Sequence, residues 1–131
     1  MIYQEFKQYD SAINDFSKAI QFGNESLYYR NRSECYLEIN LYSEALKDLD
    51  NAIQINERNN KPDISEVNKN GYNYDKYLMD VALYKSRAKV KKVLRDIEGA
   101  ESDLEKYCSL KYIKSSQEKE ILYNEVMNGN Y

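Results

Sequence analysis

Apolar residues recur at steps of three and four along much of the chain: Tyr9, Ala12, Ile13, Phe16, Ala19 and Ile20, then Tyr42, Ala45, Leu46, Leu49, Ala52 and Ile53. That spacing lays them along one stripe of an α-helix. Small Ala at the ends of each stripe lets a neighbouring helix approach closely, and the bulky Phe16 or Leu49 between them fills the space beside it. Gly23-Asn24 and Asn40-Leu41 interrupt the pattern, so the spacing predicts antiparallel helix pairs joined by short turns. Near the end, SSQEKEILYNEVMNGNY offers Ser115 or Ser116 as N-cap, a Glu in the first turn, apolar Ile121, Leu122 and Val126, and Gly129 as a stop. It predicts a polar-faced capping helix over 116–127.

The stripes are copies of one another. Tyr3, Phe6, Tyr9, Ala12, Phe16, Ala19 and Ile20 return 33 residues later as Tyr36, Ile39, Tyr42, Ala45, Leu49, Ala52 and Ile53, with Asp15 returning as Asp48. A third copy lies 55 residues beyond the second, where Tyr29, Arg32, Ala45, Asp48 and Leu49 become Tyr84, Arg87, Ala100, Asp103 and Leu104. The surplus over the first period is an insertion at 57–74, rich in Asn and Lys and holding the only Pro, which reads as a surface loop. Asp63 and Glu66 in capping-box spacing would start one helical turn inside it. The chain therefore reads as a single domain, 1–131. It comprises a truncated repeat one at 1–23, repeat two at 25–56, the insertion, repeat three at 75–111, and a cap at 115–128.

Ala12-x3-Phe16 followed by Ala19, in a period of about 34 residues, resembles the signature of the tetratricopeptide repeat. Ala45-x3-Leu49 followed by Ala52 matches with one conservative change. Ala100-x3-Leu104 is followed by Tyr107 where a small residue is expected, and Glu101 replaces an apolar neighbour, so this second helix is expected to pack less tightly or against something different. The resemblance spans roughly residues 3 to 56 and 77 to 110, and implies an all-α, right-handed α-solenoid of about 2.5 to 3 repeats plus the cap. It also implies a concave groove, lined by first helices, that holds a peptide or partner protein. Arg30, Asn31, Glu34, Leu37 and Glu38 would face the groove from repeat two. Lys85, Ser86, Lys89 and Lys92 would face it from repeat three, where three lysines at i, i+4 and i+7 form a basic stripe suited to an acidic segment. A solvated lysine face accounts for the same pattern. Chaperone-binding members of the family grip a carboxylate with a defined set of side chains. Asn31 fits that set, but Ser86 and Ala82 stand where its Arg and Lys would be, so chaperone-tail binding is not implied.

Before Tyr9 only one or two turns of a first helix are expected. That leaves part of the face of Ile2, Phe6, Ile13, Phe16 and Ile20 uncovered, to be closed by further repeats, by the chain's own tail or by a second copy in a homodimer. Docking or dimerisation through this edge is the alternative to groove binding.

Composition narrows the chemistry. There are 131 residues, fourteen Tyr, no Trp and no His. Absence of His removes the commonest general base and zinc ligand. Asp48 with Asp50, and Asp96 with Glu98, sit two apart on helices and do not face each other, so no enzyme, metal or cofactor is expected. Net charge is −3, giving no global attraction to nucleic acid or anionic membrane. Cys35 and Cys108 lack metal or redox spacing and read as reduced, packed thiols. No segment has the apolar length of a membrane span or the pattern of a signal peptide, which gives a cytoplasmic expectation. The tyrosines read mainly as packing residues, with Tyr72 and Tyr74 in the insertion as exceptions.

Overall fold

The computed structural model describes residues 2–59, 74–110 and 116–129. Among these the chain is all-helical, with six helices: α1 (Ile2–Phe22), α2 (Ser26–Glu38), α3 (Tyr42–Asn59), α4 (Tyr74–Val93), α5 (Ile97–Leu110) and α6 (Ser116–Asn128). Contacts gather into two compact units, Met1–Arg58 and Asn59–Tyr131. In the first, α1 packs against α2, and side-chain bonds tie α2 to both α1 and α3. In the second, α4 packs against α5, and α6 lies against both.

The breaks at Gly23-Asn24 and Asn40-Leu41 fall where the spacing placed them. The repeat is reproduced bond for bond in the α2–α3 and α4–α5 turns. Asn40 and Arg95, equivalent at the 55-residue offset, both adopt left-handed backbone, with φ of 62° and 69°. The Leu41 N–H donates to the Tyr36 carbonyl and the Asp96 N–H to the Lys91 carbonyl, each at 2.8 Å. Asn40 N–H donates to Leu37 (3.1 Å) and Arg95 N–H to Lys92 (3.0 Å). These pairs satisfy the last carbonyls of α2 and α4 in the manner of a Schellman motif. Asn tolerates the left-handed region, whereas Arg at φ 69° bears a Cβ clash. Arg95→Gly is therefore expected to stabilise the fold by about 1 kcal/mol, measured by urea unfolding. A loss of stability would mean that the Arg95 side chain makes a contact worth more than that strain.

Repeat one departs from this plan. Its equivalents of Asn40 and Leu41 are Lys7 and Gln8, neither suited to a left-handed stop, and α1 runs unbroken from Ile2 to Phe22. The expected remnant of a separate first helix before Tyr9 is thus part of α1 itself. At the insertion, α3 continues as helix to Asn59 and α4 begins at Tyr74, so both ends of the expected 57–74 segment are helical. Asp63, Glu66 and Tyr72 lie outside the described residues, as does Ser115.

The helical stripes are the buried positions. In α3, Ala45, Leu49, Ala52 and Ile53 are at most 3% exposed; in the second unit Val81, Leu83, Tyr84, Ala88, Val90, Ala100, Leu104, Cys108 and Val126 are comparably covered. Tyr107, the departure from the small-residue pattern, is buried too, with the Lys85 ammonium 5.9 Å above its ring. The α5 stripe is therefore not loosely packed: aromatic bulk takes the place of an Ala. On α6, Leu122 and Val126 are buried while Ile121 is exposed.

Candidate functional site

Each intact helix pair is held by a bridge between a half-buried arginine and a buried aspartate. Arg32 on α2 donates from Nε to Asp48 Oδ2 (2.8 Å) and from Nη2 to Oδ1 (2.7 Å) on α3. Arg87 on α4 makes the same two bonds, at the same distances, to Asp103 on α5. Such bidentate pairing fixes direction as well as distance. Both guanidinium groups lie 5.8 Å from a tyrosine ring three residues earlier, Tyr29 or Tyr84, a cation–π arrangement. The hydrogen bond to Asp48 lifts the Arg32 pKa above its ordinary value against the opposing effect of burial. The repeated Tyr, Arg and Asp positions were visible in the sequence as copies, but that they form one bridge was not. Ser33 was missed altogether: it is buried at the repeat position of Ala88, where only a small residue fits, and its hydroxyl donates to the Arg30 carbonyl (2.6 Å).

The acidic pairs singled out in the sequence are structural. Asp48 belongs to the bridge, and Asp96 accepts from the Gly99 N–H at 3.0 Å, capping α5. Among the described residues no group of three or more His, Cys, Asp or Glu is placed to hold a metal ion.

The expected groove residues fall in both units. Arg30, Asn31 and Glu34 lie on α2; Lys85, Ser86, Lys89 and Lys92 lie on α4. Lys85 is committed within its own unit, reaching Glu125 of α6 at 3.1 Å as well as the Tyr107 ring. Lys91, which sequence reasoning left out of the stripe, joins Asp103 at 3.2 Å. The Arg30 Nε is a buried donor without a hydrogen-bond partner among the described residues.

Asn31 and Glu34 meet at an open cleft of about 390 Å³ in the first unit. Its α1 wall is Tyr9 and Phe16, one heptad apart; its α2 wall is Asn31, Glu34, Cys35 and Glu38, at i, i+3, i+4 and i+7. Thus one wall is aromatic and the other polar and acidic. Of the suspected oligomer edge, Phe16 lines this cleft, Ile13 and Ile20 are half-buried, and the side chains of Ile2 and Phe6 lie outside the described ones. Both cysteines are free thiols. Burial pushes each thiol's pKa up, assisted at Cys35 by Glu34 and Glu38, which suppresses the reactive thiolate.

In the second unit, Tyr123 of α6 donates to Glu105 Oε1 at 3.0 Å and approaches the Glu101 carbonyl at 3.4 Å. Burial, then the bond to Glu105, pushes its pKa up to about 12. Its raised folded pKa adds stability that is fully present below the ordinary tyrosine pKa of about 10 and is lost as pH rises from there towards 12. Urea melts between pH 9 and 12 should therefore show an alkaline loss that shrinks in Tyr123→Phe; an identical loss in the variant would exclude Tyr123 as its source.

No protein-family model and no solved structure matches the chain. A curated pea (Pisum sativum) protein named translocon at the outer membrane of chloroplasts 64 is 39% identical over 56 residues, 42% of this chain. The matched stretch is only 9% of that protein's length. No described helix is long and apolar enough to cross a membrane.

Proposed function

We propose that the protein is a non-catalytic interaction module of the tetratricopeptide type, its helix pairs stacked as a right-handed solenoid, that holds a segment of a partner protein. The observation that carries this reading is the α1–α2 cleft, with Tyr9 and Phe16 supplying apolar area opposite Asn31, Glu34 and Glu38. Aromatic area beside a few directed polar groups is the usual make-up of a recognition surface. Arg32 supports it by fixing the α2 wall, bonded to Asp48 of α3 and to Ser17 of α1. The acidic wall favours a basic segment. A second reading, an acidic segment lying along α2, has the unpartnered Arg30 Nε in its favour.

A photo-crosslinking side chain at position 31, followed by capture from cell extract and peptide mapping, tests the proposal. The expected result is one defined protein segment, lost when the exposed wall is reversed by Glu34→Lys with Glu38→Lys and kept in Arg30→Gln. Loss in Arg30→Gln alone would favour the acidic ligand. A crosslinking background unchanged by either variant would refute the module reading at this cleft.

A further inference from the structure

The two units carry equivalent second helices, α1 and α5, related by an 88-residue offset that pairs Ala12 with Ala100, Asp15 with Asp103 and Phe16 with Leu104. On α5 this face is covered: Ala100 and Leu104 are 0% exposed and Asp103 is 4% exposed. The cover is α4, whose Arg87 takes Asp103 and which also packs against α6. On α1 the same face is open, with Ala12 and Phe16 half-buried and Asp15 exposed.

The second wall of the opening is equivalent too. Ser17 accepts from Arg32 of α2 at 3.0 Å. Its repeat partner, Glu105, accepts from Tyr123 of α6 at 3.0 Å. So α2 and α6 each bond the same repeat position of the helix before them, and by the repeat the cleft between α1 and α2 corresponds to the space that α4 fills in the second unit.

We infer that this cleft is the seat of a basic α-helix from a partner protein, whose arginine reaches Asp15 as Arg32 reaches Asp48 and Arg87 reaches Asp103. A helix is called for because the equivalent space is filled by one. An arginine is called for because the two other copies of this aspartate each take a bidentate guanidinium, with a tyrosine three residues before it. Basic character follows from Glu34 and Glu38, exposed one turn apart on the α2 wall, and from residues 1–58 holding ten Asp and Glu against six Lys and Arg. Opposite charge steers such a helix into the cleft and fixes its register.

This inference rests on the interaction-module reading, and its test separates the two. The probe is a labelled, helix-stabilised peptide with the sequence Tyr74–Val93, which carries six Lys and Arg against two Asp. Titrated into the full chain, it should bind saturably, slow alkylation of the half-buried Cys35, and leave the buried Cys108 unaffected. Asp15→Lys, an exposed change that should leave helicity intact, is expected to weaken binding at least tenfold, as is Arg87→Glu within the peptide. Binding indifferent to both changes would overturn the inference. Failure of the helix while an unstructured peptide of the same composition binds the cleft would overturn it and leave the module reading standing; failure of both peptides would remove both. A dimer by light scattering that Asp15→Lys dissociates would make a second copy the occupant and overturn the assignment to a partner.

Discussion

Asp103→Ala is expected to destabilise the protein by about 3 kcal/mol, because it strands cations that were drawn into the second unit by one buried carboxylate. Asp103 is 4% exposed and takes two bonds from Arg87 and one ion-pair contact from Lys91. Removing it leaves both cations without this partner, and neither is well solvated, each side chain being 18% exposed. The two repeats should then differ on the arginine side. Arg87→Met leaves Asp103 with Lys91 at 3.2 Å, whereas Arg32→Met leaves Asp48 with no cation among the described residues. Breaking the pair at Arg32 is thus expected to cost more than at Arg87, by about 1 to 2 kcal/mol, since an uncompensated buried charge is the costly species. Urea unfolding of the three variants measures this. Equal losses for Arg32→Met and Arg87→Met would show that Lys91 does not compensate.

Leu104→Ala should cost a similar amount, about 3 kcal/mol or a fall in Tm of about 10 °C, by opening a cavity where no surface is exposed. Leu104 is 0% exposed between helices that are themselves bridged and cannot readily collapse. Phe16→Ala removes a larger side chain at the same repeat position, yet its site already opens to the cleft. Its expected cost is less than half that of Leu104→Ala, because apolar area already exposed contributes little to folding. If Phe16→Ala proved equally costly, the α1 face would be covered and the docking inference would fail. In the opposite direction, Ala45→Leu, at 0% exposure on α3, should lose about 1 to 3 kcal/mol through overpacking.

Helix boundaries were legible because the signals for them are local. Asn40 ends α2 by tolerating left-handed backbone, and the apolar stripes mark one face by spacing alone. Where the local signal was absent the reading slipped. Lys7-Gln8 holds no stop, and α1 runs through the position at which repeat symmetry suggested a break. The candidate site was less legible. Lys85, Lys89 and Lys92 looked like a free basic stripe from their shared helical face, but Lys85 is held by Glu125, forty residues away. No periodicity announces a partner at that separation. Asn31, Glu34 and Glu38 share one face of α2 by spacing alone, while Tyr9 and Phe16 meet them only because α1 comes alongside.

Sequence alone determined the all-helical class and the turns at which chain direction reverses, since each depends on residues within a few positions of one another, and it carried the copied Tyr, Arg and Asp positions as a repeat. Tertiary structure alone decided which charges were spent on bridges and which aspartate stayed exposed. Asp15, Asp48 and Asp103 are one letter in one repeat position; two are buried against arginines and one is exposed. The difference lies in whether another helix covers them, and burial by a neighbouring helix is a property of packing that no single stretch of chain contains.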